Sequence, residues 1–128
     1  MQLLLDTHTL LWWFTDDDRL SPKARAAIGD EVNEVFVSAA SAWEIATKQR
    51  LGKLDDVPQA AARYVELVAA DGFANLPVTH LHSLRAGGYE VAHRDPFDRM
   101  LAAQSELEIL RLVTLDDAFE QFGVATLW

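Results

Sequence analysis

The chain has 128 residues, which fits one domain spanning 1–128, and its 50% apolar and 24% charged composition excludes disorder and a disulfide scaffold. Cysteine is absent, so disulfides, thiolate metal sites and a cysteine nucleophile are excluded, and any metal must be held by oxygen or imidazole. Eleven Lys and Arg against 20 Asp and Glu give a formal charge of −9, which repels nucleic acid and anionic membrane at long range, so any phosphate contact has to be arranged locally.

Leu3 to Leu5, closed by Asp6, is too short for a helix and reads as a buried first strand. Val35 to Val37, Phe73 to Val78, Ile109 to Val113 and Val124 to Trp128 read as four more. Pro77 cannot donate to a ladder, so it puts the third run at the sheet edge or ends it. Ser21-Pro22 is an N-cap followed by proline at the first helical position, with Gly29 to stop that helix. Ser41 opens the next helix, which Gly52 ends. Between Pro58 and Gly72, Ala61, Tyr64, Val65 and Val68 follow i, i+3, i+4, i+7 and predict one buried stripe. Asp95-Pro96 opens a long helix with the stripe Phe97, Met100, Leu101 and Leu107, and Asp116 or Asp117 starts a last short helix stopped by Gly123. Strands separated by helices need crossover connections, so the prediction is an α/β fold with a mostly parallel five-stranded sheet covered on both faces. The longest stretch without Asp, Glu, Lys or Arg, Gly72 to Leu84, is too short and polar to span a bilayer, so no membrane role is expected. With Asp6 ahead of the first basic residue, Arg19, no secretory n-region is evident and the cytoplasm is the expected compartment.

Ligands of open parallel sheets collect beyond the carboxyl ends of the strands. Asp6 follows the first strand, Asp116 follows the fourth, Glu44 lies in the first turn of the helix after the second, and Asp98 lies in the first turn of the helix after Asp95-Pro96. Each acid has a local alternative. Asp6, Asp95 and Asp116 suit helix caps. Ser41 to Glu44 fits a capping box, and Glu44 and Lys48 fit an i, i+4 pair on a solvated face. Gathered in one place, however, carboxylates about 4 Å apart repel by roughly 4 kcal/mol at an effective dielectric of about 20, so such a cluster requires a cation. Oxygen ligands with vacancies for water describe Mg²⁺ or Mn²⁺, and one or two such ions suit phosphodiester hydrolysis.

Leu5-Asp6-Thr7, Ser41-Ala42-Trp43-Glu44-Ile45, His93-Arg94-Asp95-Pro96-Phe97-Asp98-Arg99 and Leu112-Val113-Thr114-Leu115-Asp116 together resemble the PIN domain, and in order and spacing the VapC-type toxins of bacterial toxin–antitoxin pairs. The resemblance covers nearly the whole chain. It implies an α/β/α sandwich and a Mg²⁺-dependent endoribonuclease held inactive by a cognate, VapB-like antitoxin. Carried over residue by residue, Asp6, Glu44, Asp98 and Asp116 match the acidic quartet that holds the metal, and Thr7 and Thr114 match hydroxyl positions beside it. Asp95 and Asp117 are neighbouring acids, read as caps in preference to ligands. The nucleophile is then an activated water and no side chain.

Without the four site acids the surface is still acidic. Lys48, Arg50 and Lys53 after Glu44, and Arg94 and Arg99 around Asp95 and Asp98, are candidate grips for RNA phosphates, with ordinary solubilising charge as the alternative. Trp12, Trp13 and Phe14 are consecutive on a predicted helix and cannot all face one core, so at least one is expected at the surface. An exposed tryptophan fits an interface anchor, for a homodimer or the antitoxin. Trp43 is expected in the core beside Glu44. The four histidines match no zinc spacing. Polar surface or supporting roles are expected for them, and His93 is the candidate substrate contact.

Two other readings compete. Asp6-Thr7-His8-Thr9 after a first strand is similar to aspartate-based phosphotransferases and phosphatases, although His8 stands where their second acid belongs. The other is a catalytically silent protein-binding module whose acids only cap helices.

Overall fold

The computed structural model describes residues 1–128. In chain order it runs β1 (Gln2–Leu5), α1 (Thr7–Phe14), α2 (Pro22–Gly29), β2 (Glu34–Ser38), α3 (Ala39–Arg50), α4 (Tyr64–Ala70), β3 (Ala74–Leu76), α5 (His80–Gly88), α6 (Pro96–Glu108), β4 (Arg111–Val113), a short 3₁₀ helix (Asp117–Phe122) and β5 (Thr126–Leu127). All five strands pair in parallel in the order β3-β2-β1-β4-β5. The third strand is at an edge and stops just before Pro77, as the missing N–H requires.

Strand alternation sends the apolar side chains to two faces. Leu3 and Leu5 of β1, with Val35, Val37, Val113 and Leu127, meet Leu10, Leu11, Ala24, Ile28, Ile45 and Val68 from α1 to α4. Leu4, Leu76 and Leu112 point the other way, onto Ala86, Leu101, Ala102 and Ala103 of α5 and α6 and onto Phe119 and Phe122. The sheet therefore separates two apolar cores, and the three-layer sandwich follows from the period of two.

Local signals explain most boundaries. Ser21 Oγ accepts from the backbone N–H of Ala24 with Pro22 at the first helical position. Asp95 Oδ1 accepts from the N–H groups of Phe97 and Asp98 to open α6. Gly123, at φ 69°, ends the 3₁₀ helix in the left-handed conformation that glycine adopts without steric penalty.

Four expectations need correction. The third helix starts at Ala39 under a Ser38 cap, so Ser41 is internal and buried, Glu44 lies in the second turn, and there is no Ser41–Glu44 capping box. The helix between Pro58 and Gly72 shrinks to α4, and Val65 is 81% exposed because Ala60 and Val68 take the buried positions. In α6 the buried run is Leu101 to Ser105, which leaves Leu107 at the surface. Helix α5 was not foreseen. It is opened by a capping box in which Thr79 Oγ1 accepts from His82 N–H, and His82 Nδ1 accepts from Thr79 N–H at 3.1 Å. His82 is thus buried, with its Nε2 2.8 Å from Glu108 Oε1, and is not polar surface. No helix is long and apolar enough to cross a membrane.

Candidate active site

Because the strands are parallel, the carboxyl ends of β1, β2 and β4 lie along one edge of the sheet. Asp6 leaves β1 there and caps α1, its Oδ1 accepting from Thr9 N–H at 2.8 Å. Its Oδ2 accepts from Thr114 Oγ1 at 2.5 Å, and that same hydroxyl oxygen accepts from the N–H of Asp116 at 3.0 Å. One threonine hydroxyl, just past β4, therefore ties the first acid to the last. Asp6 is 5% exposed, and burial pushes its carboxyl above the ordinary value against the opposing pull of the Thr114 and Thr9 hydrogen bonds. Asp116 is exposed and caps the 3₁₀ helix through Ala118 N–H. Asp6 and Asp116 open together on a cavity of about 360 Å³ whose other walls are His8, Trp12, Arg19 and Leu115.

Glu44 and Asp98 form a second pair. Glu44 is 3% exposed; its Oε2 lies 2.5 Å from Lys48 Nζ, and its buried Oε1 has no hydrogen-bond partner. The predicted i, i+4 ion pair exists, but it is sunk beneath the surface. Asp98 Oδ2 is 2.8 Å from His93 Nε2. Its carboxyl is pushed up to about 6, chiefly by burial, with the negative charges of Asp95 and Glu44 adding to this and the His93 hydrogen bond opposing it. Glu44 on α3 and Asp98 on α6 thus feel each other across the gap between the two helices.

No three His, Asp or Glu side chains stand together as a ready coordination shell. The carboxylates are turned instead to Lys48, His93, Thr114 and the N–H groups of helix starts. The donor chemistry nevertheless fits a hard divalent ion. All four donors are carboxylates, and a buried carboxylate oxygen with no partner is costly unless a cation or donor reaches it. Capping also leaves room for a second role, since Asp6 and Asp116 serve as caps while standing at the same edge.

The supporting residues divide. Thr114 touches Asp6, whereas Thr7 Oγ1 donates to Ser41 Oγ at 3.0 Å and so pins α1 to α3. Asp95 caps α6 and acts on Asp98 through its charge, and Asp117 is exposed with no hydrogen bond to any of the four acids. Arg50, Lys53 and Arg94 are exposed, while Lys48 is committed to Glu44 and His93 to Asp98. Arg99 is not a phosphate grip. Its guanidinium donates to the carbonyls of Ala86, Gly87, Tyr89, Val91 and His93, which uses up its fork on the end of α5 and the turn that leads to α6. Trp43 is not in the core. It is 63% exposed and packs edge-on against Phe97 at 4.7 Å, bridging α3 and α6 beside the site. Trp12, Trp13 and Phe14 are all partly buried. The lining role of His8, Trp12 and Arg19 was missed; the visible signal was the i, i+4 spacing of His8 and Trp12 directly after Asp6.

The family model of the PIN domain matches residues 3–125. Ribonuclease VapC16 of Mycobacterium tuberculosis is 44% identical over 69 residues, covering 52% of this chain and 48% of that protein, so the match spans about half the length of the relative. Among solved structures, VapBC2 from Rickettsia felis bound to a DNA fragment from their promoter superposes with a TM-score of 0.68 at 12% identity, over 99% of this chain and 98% of that one. VapBC-1 from nontypeable Haemophilus influenzae gives 0.64 at 14% identity, over 99% and 97%. FitAcB from Neisseria gonorrhoeae gives 0.59 at 20% identity, over 100% and 97%. At these identities the structural likenesses speak for the fold. With the family model running from within β1 to the residue before β5, this chain belongs to the PIN domain family.

Proposed function

We propose that this chain is a Mg²⁺-dependent endoribonuclease that serves as the toxin of a toxin–antitoxin pair, working in the cytoplasm and restrained by a VapB-like antitoxin. The similarity to Ribonuclease VapC16 supports the activity, and the likeness to the VapBC structures supports the partner; a homodimeric assembly is part of the same proposal. The observation that carries the site is Glu44. It is a buried carboxylate with one oxygen unpartnered, and its charge reaches Asp98 at the same sheet edge as Asp6 and Asp116.

Asp6, Glu44, Asp98 and Asp116 would hold Mg²⁺, with Mn²⁺ as an alternative of the same oxygen preference. When bound, a divalent ion supplies water activation and charge stabilisation for hydrolysis of an RNA phosphodiester. The chain supplies the placement. Asp6 is oriented by the Thr9 N–H and the Thr114 hydroxyl, so its carboxylate presents one rotamer to the cavity. Asp116 is set by its cap and by its own N–H on Thr114. Lys48 and His93 hold Glu44 and Asp98 in the metal-free chain, Lys48 as a cation and His93 through a ring-nitrogen hydrogen bond, and both would stand beside a phosphate brought to these acids. Arg94, Arg50 and Lys53 are exposed charges for the more distant phosphates.

The test is cleavage of labelled RNA by the purified chain with Mg²⁺ and with EDTA, alongside Asp98→Asn. Cleavage that needs Mg²⁺ and is lost in the variant is expected. Cleavage that persists in EDTA or in Asp98→Asn rejects the site.

A further inference from the structure

The cavity that holds Asp6 and Asp116 has a second wall of a different character, made by His8, Trp12 and Arg19. Its volume of about 360 Å³ lies within the roughly 300–1,000 Å³ of small-ligand pockets. Helix geometry fixes the wall. His8 and Trp12 stand four residues apart on α1, so their rings share a helix face, with centroids 5.9 Å apart and 31° between the ring planes. Trp12 is braced by the edge of Trp128 at 5.8 Å, and the Arg19 guanidinium lies 5.1 Å from the Trp12 ring centroid. Arg19 is itself held in place by a two-pronged hydrogen bond to Asp17. The His8 ring is exposed and makes no hydrogen bond. Asp6 is the N-cap of the same helix, so this wall begins two residues from the first acid of the site.

We infer that His8, Trp12 and Arg19 form a nucleobase subsite. In it, the base adjoining the scissile phosphodiester of a single-stranded RNA stacks on the exposed His8 ring. This rests on the nuclease reading above and names where that substrate is gripped. A chain with a charge of −9 cannot rely on long-range attraction to hold RNA, whereas stacking on a ring face needs no net charge. Trp12 backs the imidazole and keeps it from folding away, and Arg19 contributes a cation at the Trp12 ring. Because the contact is to the face of a base, it positions the strand without reading its sequence.

The experiment measures binding by fluorescence anisotropy, with a short, end-labelled, phosphorothioate-linked single-stranded RNA, the full chain and Mg²⁺. Relative to the unaltered chain, His8→Ala weakens binding about tenfold, and His8→Phe, which keeps a ring face, restores most of it. Replacing the stacked nucleotide by an abasic one removes the difference between His8→Ala and the unaltered chain. The thermal midpoint stays unchanged, because the His8 side chain is exposed. Equal affinity of His8→Ala and the unaltered chain overturns the inference. So does a loss that survives an abasic nucleotide at every position, or an unaltered chain that does not bind this RNA. Failure of the nuclease reading shows separately, as ordinary RNA left intact by the unaltered chain with Mg²⁺.

Discussion

Thr114 Oγ1 donates a 2.5 Å hydrogen bond to Asp6 Oδ2 in the interior, joining residues 108 positions apart in the sequence. The same oxygen accepts from Asp116 N–H, so the hydroxyl proton is committed to Asp6. Thr114→Val keeps the shape and removes the donor. It leaves a buried carboxylate short of one hydrogen bond, at a cost of about 2 kcal/mol. Urea denaturation at neutral pH reads this loss, and calorimetric titration reads weaker Mg²⁺ binding. Thr114→Ser, which keeps the hydroxyl, recovers both.

Lys48 is the internal counter-charge of Glu44. Lys48→Met strands that carboxylate and destabilises the metal-free chain by about 2 kcal/mol, less than the roughly 3–5 kcal/mol of a fully buried pair because Lys48 itself is partly exposed. Added Mg²⁺ then raises the urea midpoint of Lys48→Met by more than it raises that of the unaltered chain, since the ion replaces the missing charge. An equal or smaller gain argues against Glu44 as a ligand.

The Asp98 carboxyl, pushed up to about 6 chiefly by burial, holds its proton more tightly folded than unfolded, where 3.8 is the ordinary value. Its contribution is therefore greatest below the unfolded value, falls as pH rises between the two values, and is level above the folded one. Asp98→Asn removes that slope. The difference in thermal midpoint between Asp98→Asn and the unaltered metal-free chain should therefore grow in favour of the variant as pH rises through this interval. At pH 7, Mg²⁺ raises the midpoint of the unaltered chain and not that of Asp98→Asn.

Arg99 binds five carbonyls, two at the end of α5 and three in the turn that carries His93. An ammonium cannot reproduce that planar fork, so Arg99→Lys is not conservative and costs about 2 kcal/mol. Amide hydrogen exchange should quicken in residues 89–95 and stay unchanged in β1 and β2. Uniform quickening would mean that Arg99 supports the fold at large and not this turn.

The strands, the sheet edge and the caps at Ser21, Asp95 and Asp116 were legible because each is written in neighbouring residues: short apolar runs, Ser-Pro, Asp-Pro, Asp before Gly123. The placement of Asp6 and Asp116 at one edge was legible because each follows a strand of a parallel sheet. What stayed hidden was polar burial. On α3 the inward stripe is Ala40, Ser41, Glu44 and Ile45, so Trp43 is turned outward although it is the largest side chain of the segment. Helix α5 hid for a related reason. Leu81 and Leu84 face solvent, and the reciprocal cap uses His82 where a Glu or Gln is the usual signal. The role of Arg99 was invisible because its partners are main-chain oxygens, which no side-chain pattern records.

The two apolar cores lie on opposite faces of a thin sheet, and each contributes part of the acidic edge. Asp6 and Glu44 come with the α1 and α3 face, and Asp98 and Asp116 with the face of α6 and the 3₁₀ helix. Side chains rooted in separate slabs keep their spacing only while the slabs stay aligned. A cation at that seam would act as a rivet, so occupancy of the site and shear between the two halves of the molecule become one mechanical variable.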